Sequence, residues 1–158
     1  MSTLTPSDEI NEYFMRQAIN QANLSIPVQL AYCVGAILVE FGVDSCYTTL
    51  AAGYSRELLG NTHAEECCLL KYNGSGQNLI LYTTMEPCSR RLSGKKSCTD
   101  LIIESGIQTI IIGALEPTVF IENCEGVKLL TNSGRIVKIM NNMQQACLNM
   151  NQHLFKAE

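Results

Sequence analysis

A chain of 158 residues fits one domain and is long enough for a single packed core. With 46% hydrophobic and 16% charged residues the composition is not that of a disordered chain, and a net charge of −4 argues against the extended basic face of a nucleic-acid binder. No apolar run reaches the length of a membrane span, and the polar, acidic start from Met1 to Glu12 lacks the basic-then-apolar layout of a secretion signal.

Residues 1–9 read as a loose lead-in, with Ser7-Asp8-Glu9 suited to open a helix. Ile10, Phe14 and Ile19 give that helix an apolar stripe up to about Asn23, and Pro27 lies at or beyond its end. The apolar run Ala31 to Val39 reads as a buried strand ended by Glu40-Phe41-Gly42. Cys46 to Tyr54 reads as a second strand, antiparallel to the first. A helix is expected from His63 to Tyr72, capped by Asn61 or Thr62 and stopped by Asn73-Gly74-Ser75-Gly76. Leu79–Thr84 is a third strand, Ser97–Ser105 a helix closed by Gly106, and Thr109–Gly113 a fourth strand. A helix from Glu122 to about Asn132, a short strand from Arg135 to Met140 and an Asn/Gln-rich helix over 141–156 complete the chain. Strands alternating with helices after residue 60 predict one domain over 1–158, a three-layer α/β/α sandwich around a mixed five-stranded sheet.

Eight cysteines without a secretion signal point to a reducing, cytoplasmic setting, where thiols are buried or bind metal before they form disulfides. His63, Cys88 and Cys98 read as ligands of one zinc ion, three protein donors leaving the fourth tetrahedral position for water. Glu65 is then placed to handle that water's proton, in the H-x-E…P-C…C arrangement of zinc deaminases, whose glutamate is not a ligand. An i, i+2 pair lies about 200° apart around a helix, so His63 and Glu65 share a site only at the helix's first turn. Cys67, four residues after His63, offers a competing closed Cys3His site, which would be structural and leave Glu65 without a role.

Between the two cysteines lie Ser89, Arg90, Arg91, Ser93, Gly94, Lys95 and Lys96. The four basic residues are candidates for a phosphate, since guanidinium groups pair bidentately with its oxygens. They suit a merely solvated loop as well. Asn61, just before the histidine, joins them as a substrate-binding candidate. His153, in the C-terminal helix, reads as solvated.

From about Val34 to Gly134 the chain resembles the deaminases of riboflavin biosynthesis, within the cytidine-deaminase-like superfamily. His63-Ala64-Glu65, Leu81 through Ser89, Cys98 with Asp100-Leu101-Ile102, and Ala114-Leu115-Glu116-Pro117 carry the resemblance. Arg91-Leu92-Ser93-Gly94 resembles the fungal form, and the long Cys88–Cys98 spacing fits this branch better than the short spacing of cytidine or tRNA deaminases. Tyr32-Cys33 stands where bacterial relatives carry Asn-Pro, so the wall before the first strand is expected to differ. The resemblance implies zinc-dependent hydrolytic deamination of a diaminopyrimidine ribityl or ribosyl 5′-phosphate by a stand-alone domain, and a homo-oligomer sharing active-site walls. Deamination of another nucleotide or a tRNA base, and a non-catalytic zinc protein, are the competing functions.

Overall fold

The computed structural model describes residues 6–72 and 78–155. Helix α1 (Asp8–Ala22) opens at Ser7, whose hydroxyl accepts the Ile10 N–H, so the lead-in is shorter than expected; residues 1–5 lie outside the described residues. Strands β1 (Gly35–Phe41), β2 (Tyr47–Tyr54), β3 (Leu79–Met85), β4 (Thr109–Ala114) and β5 (Ile136–Ile139) form one sheet in the order β2-β1-β3-β4-β5. The β1/β2 and β1/β3 pairs are antiparallel, whereas β3/β4 and β4/β5 are parallel. Every residue of β3 and β4 is buried, as strands covered on both faces require.

On one face Phe14, Met15 and Ala18 of α1 pack with Cys147 against Ile37, Val39, Ile80, Tyr82 and Ile111. On the other, α2 (Ala64–Lys71), α3 (Cys98–Ser105) and α4 (Gly126–Asn132) send Ala64, Cys68, Ile102 and Leu130 against Leu38, Leu81, Ile110 and Ile112. The expected three layers around a mixed sheet are therefore present. Gly53 lets α2 lie directly on β2: a Cβ there would stand 2.5 Å from the Ala64 carbonyl oxygen and 2.7 Å from Cys67 Cβ.

Element boundaries depart from expectation where side chains take over the backbone's hydrogen bonds. β1 begins at Gly35, not Ala31, and runs on through Phe41. Ahead of it, Asn151 Oδ1 accepts the Cys33 N–H at 2.7 Å, its amide donates to the Cys33 carbonyl at 3.2 Å, and Ser55 Oγ accepts the Val34 N–H at 2.8 Å. α4 starts at Gly126, not Glu122, because Ser89 Oγ accepts the Glu125 N–H and Glu86 Oε2 the Val127 N–H. The C-terminal helix is broken into α5 (Gln144–Leu148) and α6 (Gln152–Phe155), with 3-10 turns at Asn141–Met143 and Asn149–Asn151. Asparagines favour such local turns over continuous helix. His153 is engaged, its Nε2 lying 2.8 Å from the Val28 carbonyl. The Asn73–Gly76 stop signal lies outside the described residues.

Candidate metal centre and active site

His63 is the N-cap of α2, not a residue of its first turn. Its backbone is extended (φ −90°, ψ 159°), and its N–H donates to Glu66 Oε1 at 3.0 Å. Neither expected cap serves. The Thr62 hydroxyl turns back to the Leu58 carbonyl at 3.0 Å, and Asn61 sits in the left-handed region (φ 56°). Because the His63 backbone is off the helix, the 200° separation from Glu65 does not arise, and both residues face one pocket.

Cys88 follows β3 through Glu86-Pro87, and Cys98 is the first residue of α3, capped by Ser97. The Cys98 N–H donates to Cys88 Sγ at 3.2 Å, and the Thr99 hydroxyl donates to the Cys88 carbonyl at 2.8 Å. The start of α3 thus supports negative charge on Cys88. His63 Nδ1 lies 3.6 Å from Cys88 Sγ and 3.4 Å from Cys98 Sγ. Tetrahedral zinc with bonds of ~2.3 Å to sulfur and ~2.1 Å to nitrogen would set these atoms about 3.5 Å apart, so the donors fit that ion. Cys67 is buried outside the group, its thiol directed at the Tyr54 carbonyl, which goes against the closed Cys3His alternative.

The hydrogen bond between the two thiols splits their acidities. The Cys98 thiol's hydrogen bond, aided by His63, outweighs burial and lowers the Cys88 pKa to about 4. The same bond, with burial, raises that of Cys98. Burial alone would lower the His63 pKa, but the hydrogen bond and charge of Cys88 prevail and raise it. Glu65 is 4% exposed, and burial followed by the Cys88 charge pushes its pKa up to about 7.

The pocket over these groups is walled by Tyr32, Arg56, Asn61, Arg90, Glu116 and Phe120. Tyr32 stands edge-on to Phe120 and donates its hydroxyl to the Pro117 carbonyl at 2.8 Å. Glu116 follows β4 as Glu86 and Cys88 follow β3, so the site lies at the carboxyl ends of adjacent parallel strands, where open α/β sheets bind ligands. Glu86 is spent on backbone, accepting the Glu116 N–H at 3.1 Å and the Val127 N–H at 3.0 Å. Glu116 Oε2 is buried without a partner among the described residues. Sequence reasoning missed Glu116 and Phe120 as site residues. A carboxylate two residues after a fully buried, mostly apolar strand was the available signal for Glu116.

The four basic residues separate. Arg91 is buried on Glu66, and Lys96 is paired with Glu104 in solvent. Lys95 donates to the Gly60 carbonyl, and exposed Arg90 lines the pocket; neither has a carboxylate partner among the described residues.

Three donors placed to hold a metal with a buried glutamate beside them, on a mixed sheet between helix layers, are the features of the zinc-deaminase class of fold. Residues 8–114 match the model of the cytidine and deoxycytidylate deaminase zinc-binding region, and the chain belongs to that family. Within it the similarity runs to the deaminases of riboflavin biosynthesis. The chain is 44% identical over 143 residues to the diaminohydroxyphosphoribosylamino-pyrimidine deaminase of Schizosaccharomyces pombe, covering 87% of this chain and 34% of that protein. It is 34% identical to the RibD riboflavin biosynthesis protein of Aquifex aeolicus over 64% of this chain and 26% of the relative. It thus spans about a third or less of these curated relatives. The Rib2 deaminase of Aspergillus oryzae, a C-terminal deletion mutant, superposes with a TM-score of 0.80 at 33% identity over 89% of each chain. That enzyme has also been solved in complex with DARIPP.

No helix among the described residues is long and apolar enough to cross a membrane.

Proposed function

We propose that this chain hydrolytically deaminates a diaminopyrimidine bearing a ribityl 5′-phosphate, giving the 5-amino-uracil product and ammonia in riboflavin biosynthesis. The observation that carries the reading is the convergence of His63, Cys88 and Cys98 with buried Glu65 in one pocket. The likeness to Rib2 supports the substrate class. A zinc ion held by the three donors would acidify a water molecule, bringing its pKa to about 7. Glu65 takes that water's proton and delivers it to a ring nitrogen as oxygen adds to the amidine carbon. It then takes the remaining proton of the added hydroxyl, which becomes the product's carbonyl, and gives it to the departing amino group, so its carboxyl alternates between base and acid. Glu116 Oε2, buried and unpartnered, is the acceptor for pyrimidine N–H groups. Arg90 and Lys95 are the cations for the phosphate, since Arg91 and Lys96 already hold carboxylates. Asn61 contributes to the pocket wall beside them.

The chain is read as one cytoplasmic domain, in keeping with its free cysteines. It is also read as a homo-oligomer. Leu30 and Leu92, 85% and 79% exposed at the pocket, supply apolar surface for a second copy, and light scattering at micromolar concentration reads the state directly.

Ammonia release from the purified, zinc-loaded protein given this substrate anaerobically is the test. Glu65→Gln is expected to keep fold and zinc and to lose ~10²–10⁴-fold in rate. Near-normal turnover by that variant, or preference for cytidine or dCMP, would sink the reading.

A further inference from the structure

Arg91 has a side chain only 2% exposed, within the loop that joins Cys88 to Cys98. Its Nη1 donates to Glu66 Oε1 at 3.0 Å, and the same oxygen accepts the His63 N–H at 3.0 Å. Its Nη2 donates to the Asn61 carbonyl at 3.0 Å. Nη1 also reaches the Lys96 carbonyl, longer at 3.5 Å. One guanidinium therefore grips the chain on both sides of His63 while rooted three residues after Cys88 and touching the segment just before Cys98. Beyond the ligand atoms themselves, Lys95 on the Gly60 carbonyl is the other polar tie between this loop and the approach to α2.

We propose that Arg91 is a positioning residue for the metal centre: acting through Glu66, it holds His63 against Cys88 and Cys98 in metal-binding geometry and does not read substrate. A buried cation needs a charged partner, and half-buried Glu66 supplies one. The planar fork allows one side chain to serve Glu66 and Asn61 at once, which the point charge of a lysine does less well. Among the described residues only Nε of the three nitrogens lacks a partner, and it is buried, so little of the guanidinium is available to a phosphate. Groups that orient metal ligands typically contribute ~10–100-fold in metal affinity or activity.

The inference rests on the three-ligand reading of the centre, which Cys88→Ser tests separately: if that variant holds zinc as the wild type does, the ligand set is wrong whatever Arg91 does. For Arg91, zinc transfer from the purified holoprotein to a chromogenic chelator is followed, with circular dichroism to establish folding. Arg91→Met is expected to weaken zinc retention by ~10–100-fold. Arg91→Lys should restore part of it, and Arg16→Ala, on an exposed α1 pair, should change nothing. Glu66→Gln should weaken retention too, and adding it to Arg91→Met should cost much less than the sum of the two. If Arg91→Met does not fold, Arg91→Lys and Glu66→Gln carry the same comparison. Activity lost through positioning falls equally on phosphorylated and dephosphorylated substrate. Wild-type zinc retention in folded Arg91 and Glu66 variants, or a loss confined to the phosphorylated substrate, would overturn the assignment.

Discussion

Two carboxylates close the ends of neighbouring strands, and hydrogen bonding separates their roles. Glu86 has both oxygens on backbone N–H groups and fixes the loop after β4 and the start of α4. Glu116 keeps one oxygen free in the pocket, and burial, reinforced by the negative charges of Cys88, Glu86 and Glu65, pushes its pKa up to about 7. A raised folded-state pKa means that the fold binds a proton that the unfolded chain has already released. The stabilising contribution is therefore complete below the ordinary glutamate value of 4.5 and is lost as pH rises towards 7. Glutamine carries no such titration. Thermal melts of wild type and Glu116→Gln at pH 5 and pH 7 should show the variant gaining on the wild type at the higher pH. A difference that is the same at both values would mean that Glu116 does not titrate in this window.

At the scale of elements, the centre depends on how α2 lies on the sheet. Gly53 brings β2 against the first turn of α2, and the Glu66 carboxylate then caps the His63 N–H. Gly53→Ala would drive a methyl group into the Ala64 carbonyl and Cys67, and α2 would have to move. Overpacking of this kind costs about 1–3 kcal/mol. The expected result is a lower unfolding midpoint together with weaker zinc retention, since His63 moves with the helix. A stable variant with normal zinc retention would show that α2 shifts without disturbing the ligand. The start of α3 is a simpler case, with Ser97 capping the Asp100 N–H and Cys98 presenting its own N–H to Cys88.

Across the whole molecule, the C-terminal segment buttresses the pocket wall. Buried Asn151 makes both backbone hydrogen bonds of Cys33, a residue 118 positions earlier, and Phe155 packs near Tyr32. Asn151→Ala would leave a buried N–H and a buried carbonyl without partners, at about 1–3 kcal/mol for each group left unmet. Urea unfolding should register that loss. Because Tyr32 immediately precedes Cys33, KM for the substrate should rise more than kcat falls. Unchanged stability would show that water or a shifted backbone replaces the asparagine.

The residue types and their order pointed to the candidate metal centre. Histidine, glutamate and two cysteines in that pattern have little other joint use: one histidine and two cysteines suit zinc with an open position, and the glutamate suits its water. β3 and β4 were legible for a related reason, since strands buried on both faces are near-continuous apolar runs. Tertiary structure alone decided the parts played by groups whose partners lie far along the chain. Nothing local distinguishes Arg91 from Arg90, yet Arg91 is buried on Glu66, 25 residues away, while Arg90 is exposed at the pocket without a carboxylate partner among the described residues. Ala31–Val34 has the composition of a strand, but the backbone N–H groups of Cys33 and Val34 go to the side chains of Asn151 and Ser55. Glu116 acquires its role only when parallel pairing sets the end of β4 beside that of β3. Local sequence specifies which donors and acceptors exist; packing determines which of them are satisfied within the fold and which, like the free oxygen of Glu116, remain for a ligand.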